Sequence, residues 1–206
     1  MAVTRKQVAM AAAALVTGLS APAYAGDAGG YVFGSLGVTN FGSFDPDITG
    51  ADSKKTSSTG LKLGGGYLFN VDKFKVGVEG GYADLGKAKF TFSGVGGGDA
   101  NLKASALYVA GVGVFPINDQ WSVHAKLGLA SGSLKISGSA VGTSTTSTGI
   151  GPVIGIGGQF DINKQFGVRA EYEMFQAGKK GDKNNPNNND ILAKISMISI
   201  GGVFKF

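Results

Sequence analysis

The chain has 206 residues, of which 36 are glycine and none is cysteine, and its formal net charge at pH 7 is +5. This length suits a single domain of moderate size. Because there is no cysteine, disulfides, thiol catalysis and thiolate metal sites are excluded.

The first segment of the chain, residues 1–25, has the pattern of a secretory signal peptide. Arg5 and Lys6 form its positive start, Val8–Val16 is an apolar run rich in alanine, and Ala23–Ala25 fits a cleavage site. The apolar run is shorter than the ~20 residues that a membrane helix needs. We therefore predict a cleaved signal peptide and a mature chain that begins at Gly26. Without Arg5 and Lys6 the exported protein is only mildly basic, so no nucleic-acid partner is expected.

Eight stretches of the remaining sequence alternate apolar with small or polar residues, which is the pattern of β-strands whose two faces differ. The last stretch slips in phase over Ile191–Met197, and this slip predicts a bulge or an early strand end. In chain order the predicted strands are Tyr31–Phe41, Leu61–Phe69, Phe74–Tyr82, Ala104–Phe115, Trp121–Leu129, Ile150–Phe160, Phe166–Met174 and Ile191–Phe206.

The connections between these strands are of two kinds. Three are short polar turns bracketed by aromatic residues, within Phe69–Phe74, Phe115–Trp121 and Phe160–Phe166. The others are long and polar, at about Gly42–Thr59, Gly86–Asn101, Ser131–Thr148 and Gly178–Asp190. Short periplasmic turns, long outer loops and boundary aromatics are typical of outer-membrane barrels. The predicted periplasmic aromatic girdle comprises Phe69, Phe74, Phe115, Trp121, Phe160, Phe166, Phe204 and Phe206.

Alternation alone would also fit a soluble β-sandwich. The non-apolar strand faces favour a membrane barrel, because they combine glycine with mid-strand charges such as Glu79 and Lys126, which a narrow closed interior accommodates. Backbone groups in hydrocarbon must all be paired, so the first strand must meet the last. We therefore predict an all-β protein, an eight-stranded antiparallel up-and-down transmembrane β-barrel over residues 26–206.

Several segments of the mature chain also carry a family resemblance: Val76–Tyr82, Phe115–Asp119, Lys126–Gly128, Thr148–Val153, Arg169–Tyr172 and Ile198–Phe206. They resemble strands of the outer-membrane protein A (OmpA-like) transmembrane β-barrel domain. The opacity-type small outer-membrane surface antigens share this plan, and the sequence does not separate the two. The resemblance implies a Gram-negative outer-membrane protein with a role in envelope integrity, adhesion or phage reception. It also implies that the barrel-assembly machinery reads the aromatic last strand.

Charges on the inward strand faces must be paired or hydrated, because isolated burial is costly. The resemblance places internal salt-bridge positions at Glu79 and Arg169, and the alternation independently turns both inward. We expect Glu79 to pair with Arg169, and Lys126 with Glu171 or Glu173. Since an eight-stranded barrel has room only for its own side chains, we predict a plugged interior, with a small passive pore for ions or small solutes as the alternative. The predicted network is Glu79, His124, Lys126, Arg169, Glu171 and Glu173.

Two other groupings are weak as chemical sites. His124 lies near Ser122 on one face, with Glu171 or Glu173 as a third member, but a nucleophile buried among plugging side chains cannot reach a substrate. The carboxylates from Asp45 to Asp52 depart from EF-hand spacing and lack a closing glutamate. We therefore expect no enzymatic activity, no cofactor and no metal site.

Lysines lie in or beside every predicted outer loop. Such a face would meet the phosphates of lipopolysaccharide, with solvated loop charge as the alternative reading. The expected function is a structural and surface-interaction role, with outer-membrane lipid, lipopolysaccharide and a host or phage surface ligand as partners. The candidate lipopolysaccharide contacts are Lys54, Lys55, Lys87, Lys89, Lys135, Lys179, Lys180 and Lys183.

Overall fold

The protein folds into one antiparallel β-sheet that closes on itself. The structure is a computed structural model, which describes residues 29–41, 53–55, 57–92, 98–137, 145–179 and 191–206. No helix in these ranges is long and apolar enough to cross a membrane. The predicted signal peptide lies outside the described residues. The strands are β1 (Gly29–Asn40), β2 (Ser53–Lys55), β3 (Ser57–Val71), β4 (Phe74–Phe92), β5 (Gly98–Pro116), β6 (Trp121–Ser137), β7 (Thr145–Asp161), β8 (Phe166–Lys179) and β9 (Ile191–Lys205).

The sheet closes because its first strand pairs with its last. Each long strand is antiparallel to the next long strand in the chain, and β1 is antiparallel to β9 from Tyr31↔Lys205 to Asn40↔Ser196. The short strand β2 pairs with β4 just beyond the part of β4 that pairs with β3, so it continues the line of β3. The result is a closed eight-stranded antiparallel barrel, which confirms the predicted fold class.

The two faces of the barrel wall are the reverse of those in a soluble sheet. Large apolar side chains point outward, and Val78, Leu127 and Ile156 are 57%, 65% and 62% exposed. On β6 the outward apolar residues extend from Trp121 to Leu129, about 27 Å along the strand. At the strand tilt of about 35–45° found in outer-membrane barrels, this length covers roughly 19–22 Å of the ~25 Å apolar band. The outer surface therefore suits contact with lipid chains.

Asparagine side chains build two of the short turns. Asn118 Oδ1 accepts hydrogen bonds from the backbone N–H groups of Gln120 and Trp121, at 2.9 and 2.7 Å. Asn163 repeats this arrangement in the turn between β7 and β8. In the turn between β3 and β4, Asp72 adopts a φ of 56°, a left-handed conformation that Asp tolerates better than most residues. The turns that repeat in the sequence thus rest on short polar side chains that replace backbone partners.

The strands are longer than predicted at the end of the barrel opposite the short turns. β4 continues to Phe92 and β5 begins at Gly98, so most of the predicted loop 86–101 is β-structure. The predicted loop 131–148 was too long in the same way, because β6 continues to Ser137 and β7 begins at Thr145. These boundaries were wrong because polar side chains do not end a strand whose backbone hydrogen bonds hold the ladder. The predicted loop 42–59 likewise contains β2 and the start of β3, and β8 extends into the predicted loop 178–190. The remaining residues of the four predicted loops lie outside the described ranges.

The predicted bulge or early strand end over Ile191–Met197 was also wrong. β9 keeps an unbroken register with β8 along its whole length. Its phase changes because Ile195 and Met197 point inward and are fully buried, so the interior is apolar at this level. The bulge lies in β4 instead, where the register with β5 shifts between Asp84 and Gly86.

Candidate functional site

A cluster of buried charges fills the middle of the barrel. Its members come from the inward faces of β3, β4, β6 and β8, where alternation turns every second side chain toward the lumen. Each of them is at most 4% exposed. All six residues of the sequence-predicted network are present, joined by one that the sequence reasoning missed. The cluster consists of Lys62, Glu79, His124, Lys126, Arg169, Glu171 and Glu173.

Glu79 on β4 accepts four hydrogen bonds. Its Oε2 receives the hydroxyl of Tyr31 and Nη1 of Arg169, each at 2.8 Å. Its Oε1 receives Nζ of Lys126 at 2.7 Å and the hydroxyl of Tyr108 at 2.9 Å. A carboxylate offers about four lone-pair sites, so this side chain is fully satisfied although it is out of contact with water. Glu79 pairs with Arg169, the partner expected from the sequence, and also with Lys126.

Two lysines hold the remaining carboxylates. Lys62 Nζ donates to both Glu171 and Glu173. Lys126 Nζ lies 2.7 Å from Glu171 Oε1 and 3.0 Å from Glu173 Oε1, the latter without the geometry of a hydrogen bond. Three carboxylates in the cluster therefore face three permanent cations, two lysines and Arg169. Since charged groups are tolerated in a low-dielectric interior only when paired, this balance is what allows their burial.

His124 completes the cluster beside Glu171. Its Nε2 lies 2.9 Å from Glu171 Oε1. Because an ionised carboxylate only accepts hydrogen bonds, the network assigns the imidazole proton to Nε2. Ser122, which the sequence places on the same face, has no hydrogen bond to this imidazole among those of the described residues. The Ser122–His124–glutamate grouping is thus not assembled as a nucleophilic triad.

Aromatic side chains from β1 pack against the cations. The Phe33 ring centroid is 5.4 Å from Lys62 Nζ and 5.5 Å from Arg169 Cζ, and the Tyr31 ring is 5.0 Å from the same Arg169 atom. Cations within about 6 Å of an aromatic face gain favourable energy from its quadrupole, the more so when water is absent. These rings therefore occupy space that water would need around the charges.

An apolar layer lies between the charged cluster and the long-strand end of the barrel. Its side chains point inward from six strands and are at most 2% exposed. The Phe175 ring contacts that of Tyr108 edge-on at 5.9 Å, which joins the two layers. The layer includes Leu85, Leu102, Leu134, Val153, Phe175, Ile195 and Met197.

Lys62 was missed although its signal was present in the sequence. The stretch Leu61–Phe69 begins with clean alternation, and Lys62 falls on the face opposite Leu61 and Leu63. The same face holds Gly64 and Gly66, where a side chain would collide with Phe33 and Tyr31. The same alternation would have turned Lys62 inward.

A smaller polar chain leads from the cluster toward the short-turn end. Arg169 Nε donates to Gln159 Oε1 at 3.1 Å, and Gln159 Nε2 donates to Asp161 Oδ1 at 2.7 Å. Lys205 Nζ then lies 2.6 Å from the other oxygen of Asp161, in a partly exposed ion pair. Gln159 therefore connects the charged cluster to the ion pair at the short-turn end.

The predicted aromatic girdle residues all lie at the short-turn end. Trp121 packs against Phe160 with ring centroids 4.9 Å apart, and the Phe166 ring centroid lies 5.0 Å from that of Phe204. Phe206 covers Gly30, where a Cβ atom would come within 2.6 Å of its ring. The outward positions of Phe69, Phe74 and Phe115, each about half exposed, extend the ring around the wall.

The lysines proposed as lipopolysaccharide contacts are only partly described. The side chains of Lys87, Lys89 and Lys135 are exposed on the outer surface near the long-strand end. Lys54 and Lys55 belong to β2 and Lys179 to β8, whereas Lys180 and Lys183 lie outside the described residues. Asp45–Asp52 is also outside them, and within them no group of three His, Cys, Asp or Glu side chains could hold a metal ion.

Solved outer-membrane barrels share the fold. Ail of Yersinia pestis, in complex with the heparin analogue sucrose octasulfate, is 21% identical with a TM-score of 0.50 over 89% of this chain and 100% of that chain. OprG of Pseudomonas aeruginosa is 15% identical with a TM-score of 0.52, over 87% and 97%. Neisserial surface protein A is 13% identical with a TM-score of 0.50, over 88% and 100%. At these identities the likeness concerns the fold alone.

The family of this chain follows from a comparison of its sequence with known families. A search of curated proteins found no match to the chain. The family model described as "Outer membrane protein beta-barrel domain" matches residues 11–206, nearly the whole sequence. Its members are proteins of the Gram-negative outer membrane, in agreement with the closed wall and the outward apolar band. The chain therefore belongs to the outer membrane protein β-barrel domain family.

Proposed function

We propose that this protein is a closed anchor in the outer membrane that works through its outer end, in envelope integrity, adhesion or reception. The observation that carries the proposal is the occupied lumen. A cluster of paired charges lies across it, in which Glu79 contacts both Lys126 and Arg169, and an apolar layer lies beyond. An interior filled in this way is suited to holding the wall together rather than to passing solutes.

Catalysis is not part of this proposal. The polar side chains at the centre form hydrogen bonds and ion pairs with one another, and His124 and Glu171 are each at most 4% exposed. A catalytic base must come within hydrogen-bond reach of a substrate, which this burial prevents. No cofactor is proposed either.

The proposed partners act on the two ends and the outer wall. Membrane lipid covers the apolar band, and lipopolysaccharide phosphates meet the exposed lysines Lys87, Lys89 and Lys135. A host or phage surface ligand binds the outer connections, and the barrel-assembly machinery reads the strand that ends in Phe204 and Phe206.

Planar-bilayer recording of the purified protein tests the closed lumen. The expected result is an absence of steady, sizeable channels at any voltage the bilayer tolerates. Steady channels of uniform conductance would overturn the plugged interior and support the alternative, a small passive pore for ions or small solutes.

A second experiment tests whether recognition lies in the outer connections. Residues 138–144 are replaced by a short Gly-Ser linker, and phage adsorption or attachment of expressing cells to epithelial cells is measured. Recognition should fall while the shift in gel mobility on boiling, which reports the folded barrel, is kept. Unchanged recognition after each outer connection has been replaced in turn would contradict the proposal.

A further inference from the structure

Three lysines form a row across the outer wall, and we propose that this row binds a lipid headgroup carrying two or more phosphates. The row consists of Lys87 on β4, Lys103 on β5 and Lys135 on β6. The inference rests on the proposed function as an outer-membrane surface protein. It specifies the kind of lipid headgroup that binds on one side of the barrel. Lys103 was not among the lysines that the sequence singled out.

The row follows from the strand register. Lys87 is paired directly with Lys103, and Lys103 directly with Lys135. All three side chains are exposed. Because neighbouring strands are about 4.8 Å apart, the row places three ammonium groups on stems rooted within about 10 Å. Like charges directly opposite each other destabilise a sheet, so this arrangement carries a cost that an anion bound across it would relieve.

A β-bulge turns the first of these lysines outward. Asp84 is an outward position, and uninterrupted alternation from it would turn Lys87 into the lumen. The register shift after Asp84 pairs Gly86 with the inward-facing Ala104 instead, and this moves Lys87 to the outer face. Gly86 has a φ of 80°, which favours glycine at this point. The basic row therefore depends on a specific irregularity of the backbone.

Side chains around the bulge hold it in place. Asp84 Oδ1 accepts the backbone N–H of Gly86 at 3.0 Å, and Ser58 Oγ accepts that of Lys87 at 3.0 Å. The other carboxylate oxygen of Asp84 is 3.5 Å from Lys103 Nζ, with both groups partly exposed. Asp84 thus orients the central lysine and offsets one of the three charges, which leaves the row with an excess of positive charge.

The row lies just beyond the lipid-facing band, at the end opposite the aromatic girdle. Along β5 the outward positions change from apolar Val109 and Leu107 to Ser105 and then Lys103. Headgroup phosphates of the outer leaflet lie at this level, and lysine stems can extend along the wall to reach them. A free anion in bulk water would not benefit from this position, so the geometry points to a lipid.

Among the side chains that the structure describes beyond the apolar band, the lysines are concentrated on one side of the barrel. Beyond the apolar band, the outward side chains of Thr146 on β7, Gln176 on β8 and Asn40 on β1 are uncharged. Lys194 on β9 stands on the opposite side, four strands from β5. A lipid with paired phosphates should therefore bind at β4–β6 and not around the whole circumference.

Native mass spectrometry of the folded protein in mixed micelles tests the site. The probes are lipid A with two phosphates, its monophosphoryl form and phosphatidylcholine, each at equal concentration. The test variant is K87Q/K103Q/K135Q, and the control variant K73Q/K164Q/K194Q removes the same charge from exposed lysines elsewhere. Gel mobility on boiling verifies that each barrel is folded.

The wild type should retain the diphosphorylated lipid in preference to the other two. The test variant should retain it about 100-fold less tightly, since each lysine near an anionic surface contributes about a factor of five. The control variant should stay within about two-fold of the wild type, as expected for solvated charges. Retention should also weaken with salt.

Three results would overturn the proposal: equal loss in the control variant, no preference of the wild type for two phosphates, or displacement of the lipid by an equal concentration of inorganic pyrophosphate. The last result would assign the row to a soluble anion rather than to a headgroup. Failure of the closed-anchor function would appear as conductance in planar bilayers and would leave lipid retention unchanged.

Discussion

Lys62 and Glu173 form an ion pair across the lumen although 111 residues separate them and their strands are not neighbours in the sheet. Both side chains are fully buried. Because β1 and β9 lie between β3 and β8, this contact braces the wall from inside rather than along the hydrogen-bonded ladder. The stability of the barrel should therefore depend on the cluster as well as on closure.

Lys62→Met tests this dependence. It leaves Glu171 and Glu173 short of one cation in an interior that water does not reach, so the free energy of unfolding should fall by about 3–5 kcal/mol. Urea unfolding in lipid vesicles, followed by the fluorescence of the single tryptophan Trp121, measures the change. Lys73→Met in the first short turn is the matched control and should change stability by less than about 0.5 kcal/mol. Equal stability of the two variants would contradict a bracing role.

Tyr31→Phe removes one hydroxyl that donates to Glu79 and keeps the ring over Arg169. A hydrogen bond to a charged group contributes about 1.5–3 kcal/mol, and unfolding should become easier by that amount. Tyr82→Phe, on the outward face of the same sheet, should have little effect. If both variants unfold at the same urea concentration as the wild type, the hydroxyl contact does not stabilise the buried carboxylate.

Gly86→Ala should be costly, whereas Gly113→Ala should not. An added Cβ at Gly86 would lie 2.3 Å from Ser58 Oγ on a residue with a φ of 80°, while at Gly113 it would meet nothing within 4 Å. Strain at positive φ costs about 1–3 kcal/mol, and a tolerated Gly-to-Ala change gains about 0.4–1 kcal/mol. Thermal unfolding of the two variants in one detergent compares them directly. A stable Gly86→Ala barrel would show that the bulge is not required.

Deletion of Phe206 should impair assembly in cells. Its ring covers Gly30 and its backbone N–H donates to Gly30 O at 2.9 Å, so the change also removes one contact at the closing seam. The amount of heat-modifiable protein in the outer membrane is the readout, and unassisted refolding into vesicles is the comparison. Phe69→Ala removes a girdle aromatic away from the end of the chain and should leave assembly near normal. A loss confined to cells indicates recognition by the assembly machinery, and an equal loss in vesicles would argue for a purely structural role.

Much of the architecture follows from local signals. Alternation with a period of two identified every long strand, because the membrane and the lumen impose opposite demands on the two faces of each strand. The turns were equally clear, since Asn118 and Asn163 replace backbone partners within a few residues. The ends of the strands could not be predicted in this way, because polar residues beyond the membrane still pair through their backbones.

The interior was harder to predict. Alternation can turn Glu79 or Lys126 inward, but it does not say which side chains meet across the lumen, since that depends on the tilt and stagger of all strands together. Ile195 and Met197 were misread as a bulge because they face the lumen whereas the next apolar residue of β9, Ile198, faces outward, so the apolar phase changes in a regular strand. The true bulge at Gly86 left no clear sign beyond a glycine near the end of an alternating stretch.

The seam between β1 and β9 sets an order for folding. It joins Tyr31 to Lys205, so the final ladder needs a strand from each end of the barrel sequence. Every other ladder among the long strands links consecutive long strands and can form as a hairpin. The β1–β9 ladder instead requires the closure of a very long loop, and the entropic cost of closure grows with loop length. Until β9 arrives, both edges are open to pairing with other chains, so protection of these two edges by periplasmic chaperones should matter most late in biogenesis.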